Sequence, residues 1–155
     1  MLNRRKLLTR TAGCAAMGLS LGKAAAAPLA GIEPVAMRGS IDAMELGVRP
    51  DAPDDQSRAF DRMLRKAAQN DQPVFLPPGI YVVSGLSLPP RVRLSGVPGA
   101  TRIVHGGAGH FIVAENAEHI ELAGLMFDGA NRNTGGDAQG LLDLRGVAYL
   151  AIDSC

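Results

Sequence analysis

Four aspartates, Asp128, Asp137, Asp143 and Asp153, are the residues of this chain whose type best suits chemistry. Two carboxylates flanking a glycosidic bond hydrolyse it, one as acid and the other as base or nucleophile. Clustered carboxylate oxygens also hold Ca²⁺. Local sequence weighs against both roles. Phe127-Asp128-Gly129 reads as a turn, in which the Asp side chain bonds its own backbone. Asp143 alternates with Leu142 and Leu144, which points it outward from a sheet, a position open to a groove ligand and equally to solvent. The loop over residues 129–140, GANRNTGGDAQG, is polar enough to meet sugar hydroxyls. His105 and His110 enclose Gly-Gly-Ala-Gly, and Glu115 is the sole carboxylate near them, so a turn fits better than a metal site. His119 falls just before a strand, at an expected corner. Ser-His-Asp, phosphate-loop and zinc-spacing patterns are absent from the sequence. The residues therefore imply no cofactor and no metal, and the catalytic residues, if any, are unknown.

The elements that would position these groups begin at Gly47. Pro50-Asp51-Ala52-Pro53-Asp54-Asp55 precedes an apolar stripe of Phe60, Met63, Leu64, Ala67 and Ala68, spaced for one helix face. Asp54 or Asp55 is expected to supply the N-cap oxygen, since an acidic side chain there accepts an orphan N–H and opposes the positive helix end. Asn70-Asp71-Gln72-Pro73 ends the helix, and its expected role is a lid over one end of the core. Short apolar runs follow: Val74–Leu76, Ile80–Val83, Leu86–Leu88, Val92–Leu94 and Ile103–Val104, each cut by Pro or Gly. Runs of three or four residues suit stacked coils better than deep hairpins.

An internal repeat supports stacking. Val92-Arg93-Leu94-Ser95-Gly96 matches Ile120-Glu121-Leu122-Ala123-Gly124, 28 residues on, and Leu150-Ala151-Ile152-Asp153-Ser154, 30 further. Phe111-Ile112-Val113-Ala114 matches Leu141-Leu142-Asp143-Leu144. Ile120 is then expected over Val92 and under Leu150.

The N-terminus reads as an export signal over residues 1–26, followed by a lead-in over 27–46 and the folded module over 47–155. Arg4-Arg5 with Leu7-Leu8 behind, a weakly apolar Thr11–Gly22 and Lys23 before Ala24-Ala25-Ala26 resemble a twin-arginine (Tat) signal, with Asn3 where Ser or Thr is more usual. Cleavage is expected after Ala26, leaving Ala27 first; cleavage after Ala27 would put Pro28 first. The apolar stretch is well short of the roughly 20 residues of a membrane span, so no stable span is expected after processing. Five of the 16 Lys and Arg lie in the signal and none of the 15 Asp and Glu does, so the mature chain carries a formal charge of −4. That balance argues against nucleic acid; an acidic polysaccharide partner would call for clustered Arg or Lys or a bridging cation. Cys14 leaves with the signal, which leaves Cys155 without an internal disulfide partner.

The run Gly47-Val48-Arg49-Pro50-Asp51 through Phe60, then Leu76-Pro77-Pro78-Gly79-Ile80-Tyr81-Val82-Val83, then Val92-Arg93-Leu94-Ser95-Gly96, resembles the N-terminal module of pectate-lyase-like proteins. With the Arg-Arg signal, the chain resembles Tat-translocated repetitive proteins that share this module. The resemblance implies an all-β fold with one N-terminal capping helix, the first coils of a right-handed parallel β-helix. It does not fix activity, because lyases, hydrolases, epimerases and tailspikes share the fold. It implies a protein that the Tat machinery exports to the periplasm or beyond, presenting a surface for glycan or envelope contacts. The alternative is a truncated polysaccharide lyase or glycoside hydrolase. Because the chain halts in the middle of a rung at Ile152–Cys155, a fragment without turnover and with an open, poorly soluble end is expected.

Overall fold

The computed structural model of the chain describes residues 39–107, 109–132 and 140–155. The export signal, with Arg4, Arg5, Ala26 and Ala27, lies outside the described residues, as does Asp137. The described chain is almost wholly β, in parallel sheets, with one α-helix. It starts with β1 (Ile41–Asp42), a 3₁₀ turn (Ala43–Leu46) and α1 (Ser57–Gln69). Ten short strands follow: β2 (Val74–Phe75), β3 (Gly79–Val83), β4 (Leu86–Ser87), β5 (Arg91–Ser95), β6 (Thr101–His105), β7 (Ile112–Glu115), β8 (His119–Ala123), β9 (Met126–Asp128), β10 (Leu142–Arg145) and β11 (Tyr149–Asp153). Among the described residues no helix is long and apolar enough to cross a membrane.

The strands form three parallel sheets, which the chain visits in a fixed rotation. The first sheet has the order β1-β2-β5-β8-β11, the second β3-β6-β9 and the third β4-β7-β10. The repeat offsets are the pairing offsets. Val92 pairs with Ile120 and Leu94 with Leu122, while Leu150 pairs with Ile120 and Ile152 with Leu122. In the third sheet Leu142, Asp143 and Leu144 pair with Ile112, Val113 and Ala114. A parallel strand cannot return by a tight hairpin, so from β2 onward each strand pairs with one a full rotation away.

Alternation then sorts side chains by face. Val92, Leu94, Ile120 and Leu122 are buried with Leu76, Tyr81, Val83, Ile103, Phe111 and Ile112 in one core. Each such aliphatic or aromatic side chain contributes about 1.5–3 kcal/mol on full burial. Helix α1 adds Phe60, Met63, Leu64 and Ala67, while Ala68, expected on the same stripe, is half-buried. The helix packs on β4, β5 and the 3₁₀ turn, and Phe60 meets Tyr81 edge-to-face with centroids 5.8 Å apart. At the far side of the stack Leu150 and Ile152 are 46% and 51% exposed. Their inward-type positions on β11 have nothing described above them.

Corners between the first and second sheets hold glycine for a steric reason. Gly124 has φ 63°, and a Cβ there would lie 2.6 Å from the Gly96 carbonyl oxygen of the rung below. Both the left-handed backbone and the close approach exclude a side chain. Gly124→Ala is therefore expected to destabilise the fold by about 2 kcal/mol or more, combining a left-handed penalty of about 1–2 kcal/mol with the backbone clash. Gly99→Ala isolates the first term, since Gly99 has φ 72° with nothing within 4 Å. Urea midpoints of the two variants measure the difference; equal losses would refute the stacking constraint.

Candidate functional site

The outward positions of the first sheet form the richest set of polar groups. On β5 and β8 the inward Val92, Leu94, Ile120 and Leu122 alternate with outward Arg91, Arg93, His119 and Glu121. Register aligns Arg91, His119 and Tyr149 across three rungs, and Arg93 with Glu121. The His119 and Tyr149 rings stack 4.4 Å apart at 13°. His119 Nε2 lies 2.6 Å from Glu121 Oε1. Arg91 pairs with Glu118 at 2.8 Å, a hydrogen bond that holds its guanidinium above the ordinary value. Arg93 reaches the C-terminal end of α1, pairing with the Asp71 carboxylate at 3.1 Å and donating to the Asp71 carbonyl. All of these except Tyr149 line a hollow of about 430 Å³ between the end of α1 and the sheet. A second hollow of about 370 Å³, between α1 and Pro89-Pro90, shares Ala68 and Arg91 with it.

A second polar face lies on the third sheet. Asp143, only 13% exposed, accepts from Arg145 Nε and Nη2 at 2.9 and 2.7 Å, and His110 Nδ1 stands 3.8 Å away. With Glu115 they border a hollow of about 540 Å³. A neighbouring hollow of about 320 Å³ shares His110 and Val113 and extends to Ser57, Arg58 and Asp61 of α1. Asp143 thus faces outward, as its alternation predicts, and a guanidinium fork satisfies it.

The other candidates are dispersed. Asp128 makes the expected turn, accepting the Ala130 N–H at 2.7 Å, and pairs with Arg102 at 3.2 Å. Asp153 is exposed on β11 beside Ser154. His105 belongs to the end of a strand, and His110 lies beyond it. His105 ends β6, is fully buried, packs on Phe111 at 4.9 Å, and neither ring nitrogen has a hydrogen-bond partner among the described residues. His119 is not a bare corner residue, because it opens β8 and faces outward. Among the described residues no three His, Cys, Asp or Glu side chains converge as a metal would require. The Cys155 thiol is exposed.

The helix start corrects the expected cap. Gln56, not Asp54 or Asp55, holds the N-cap position, and its side chain makes no cap bond. It is committed elsewhere: the Arg49 N–H donates to Gln56 Oε1, Gln56 Nε2 donates to the Arg49 carbonyl, both at 2.8 Å, and the Gln56 N–H donates to Val82. Asp55 acts one residue earlier. Its Oδ1 accepts the Ser57 N–H at 3.0 Å and its Oδ2 the Ser84 hydroxyl. Asp54 is exposed. Partial burial raises the Asp55 pKa, but the hydrogen bonds from Ser84 and Ser57 outweigh it and hold the carboxyl below its ordinary value of 3.8. Burial similarly pushes Tyr81 up to about 12, aided by Asp42 and Asp51.

Compared with known proteins, the chain matches no family model, no curated protein and no solved structure.

Arg91, Arg93, Glu121, Tyr149 and Arg145 went unmarked as site residues in the sequence. Their signal was present, because each occupies an outward position of a repeat whose inward positions are apolar. The lowered Asp55 pKa has a measurable sign. Its stabilising contribution is full above the unfolded value and is lost as pH falls through the lower folded value. Between about pH 5 and about pH 2.5, wild-type stability should fall more steeply than that of Asp55→Asn. Urea midpoints across that range read the effect, and parallel profiles would remove Asp55 from the account.

Proposed function

We propose that this chain is an exported protein whose described residues are the opening coils of a right-handed parallel β-helix. In this reading it resembles the Tat-translocated repetitive proteins with a pectate-lyase-like module. It is carried to the periplasm or cell surface, where it binds glycan without turning it over. The cyclic order of the three parallel sheets, at offsets of 28 and 30 residues between paired positions, carries the fold part. The hollow on the first sheet carries the binding part. Its arginines are already paired one to one, Arg91 with Glu118 and Arg93 with Asp71, and Glu121 is held by hydrogen-bond contact with the His119 ring. Such a lining offers donors and acceptors together without a strong net field, which suits polyhydroxyl ligands better than ions. Its volume falls in the usual range for ligand sites, about 300–1,000 Å³.

The alternative is a polysaccharide lyase or glycosidase. The half-buried Asp143, with Arg145 and His110 beside an open hollow, favours it. Release of unsaturated uronates or reducing ends from polysaccharide by the purified chain would decide for this second reading.

Two experiments test the first. Replacing Arg4-Arg5 with Lys-Lys should leave precursor in the cytoplasm; unchanged export would remove the Tat assignment. Titration of the purified chain with envelope glycans should show saturable binding that Arg93→Ala weakens about tenfold, the loss typical of a charged hydrogen bond. Binding indifferent to Arg93→Ala and Glu121→Ala would place the glycan elsewhere.

A further inference from the structure

We infer that the outer face of α1 is a docking surface for an anionic phospholipid bilayer, held by charge alone and separate from the glycan hollow. Arg58, Arg62 and Lys66 follow one another at four-residue steps, about 6 Å each along the axis, and so form one stripe. All three are exposed, and none makes an ion pair or hydrogen bond among the described residues. Beside them Arg65 is 70% exposed and pairs only with Asp61 on the same helix. Among the described residues Arg58, Arg62 and Lys66 tie no other part of the fold to the helix.

Charge in the rest of the molecule is opposite. Without the export signal the chain holds 11 Lys and Arg against 15 Asp and Glu, a net of −4. Helix α1 has four of these cations and one carboxylate, a net of +3, which leaves −7 on everything else. A planar anionic surface attracts the helix side and repels the remainder, so the molecule has one preferred approach. Interactions over more than about 10 Å are screened at ordinary salt, so the cationic stripe dominates at contact.

The shape of the stripe selects the partner. A soluble glycan chain needs a concavity with directed hydrogen bonds; Arg58 borders the hollow beside His110, but Arg62 and Lys66 line none of the hollows described above and stand on the convex outer side of the helix. The stripe also lacks an apolar side chain to insert: its neighbours on the same face are Asp61, Arg65 and Gln69. Association is therefore electrostatic, superficial and reversible, unlike that of an amphipathic membrane helix.

The test is sedimentation of the purified full chain with vesicles of about 30% phosphatidylglycerol in phosphatidylcholine, against phosphatidylcholine alone. Each cation at the surface is expected to contribute about fivefold to partitioning. The triple variant R58Q/R62Q/K66Q should then bind on the order of a hundredfold less, while the charge-preserving pair R58K/R62K binds as wild type. Raising salt from about 50 to about 300 mM should erase binding, since screening shortens with ionic strength. The signal carries five cations of its own, Arg4, Arg5, Lys6, Arg10 and Lys23, so the comparison is repeated with all five changed to Gln, where the same ratio is expected. Thermal melts confirm that each variant is folded, and should the triple variant melt early, the salt titration and the charge-preserving pair decide. Equal binding to phosphatidylcholine, a folded triple variant that partitions as wild type, or loss of binding in R58K/R62K would overturn the inference. Capture by a soluble acidic polysaccharide through this stripe, with vesicles ignored, would overturn it as well.

Discussion

A stack of parallel strands has an unavoidable liability: its first strands present a row of unpaired N–H and C=O groups. Here the segment before the rungs covers all three first edges, each in a different way. In the first sheet β1 pairs with β2 in register. For the second, the chain runs beside β3 without forming a strand: Asp51 N–H donates to Ile80, Ile80 N–H to the Asp51 carboxylate, Gln56 N–H to Val82, and Ser84 N–H to the Ser57 hydroxyl. For the third, α1 lies against β4. The three sheets depend on this arrangement, because one layer of strands cannot bury its own apolar face and the first layer needs a neighbour of another kind.

Gln56 shows how tightly the cover is made. It is 7% exposed, and a buried amide leaves costly orphans unless both its ends are paired. The Arg49 backbone supplies both partners, and this fixes the chain before the helix to the chain at its start. The N-cap position is thereby given to a residue whose side chain is occupied with the fold, and Asp55 takes over the nearby N–H. Local capping preference yielded to a longer-range bond.

This is also the boundary of what could be read from sequence. Strand positions, helix span and rung register follow from patterns of apolar residues that recur at fixed distance, and burial of those residues is the main folding force. Val92, Ile120 and Leu150 aligned in sequence because they align in space. Gln56 could not be read, since its partners are backbone atoms that carry no residue signature. His105 misled for a related reason. Its Gly-rich flank suggests a turn, yet it continues the inward row of β6 after Thr101 and Ile103. Its packing on Phe111 comes without a hydrogen bond to either nitrogen, a local inconsistency that periodicity would have flagged had the strand been read to its end. Where the polar groups meet was legible only in part. Alternation says that Arg93 and Glu121 face outward on adjacent rungs, but Asp71 joins them only because α1 ends there.

The division between faces also bears on where function resides in this chain. An inward position is constrained by the rungs on both sides of it, so a change at Ile120 is felt at Val92 and Leu150 together. An outward position answers mainly to solvent and to its nearest neighbours. Three rungs that share inward chemistry carry Arg, His and Tyr at one outward position and Arg, Glu and Ala at the next. Stacking tolerates that variety and does not require it. Part of it is spent locally, in the ring stack of His119 on Tyr149 and in the ion pairs around the hollow. Arg58, Arg62 and Lys66 of α1 differ, because among the described residues no neighbour pairs with them. Paired outward groups shape a surface that can receive a neutral ligand, whereas unpaired ones of a single sign create a field. The physical distinction assigns the hollow and the helix face to different kinds of partner.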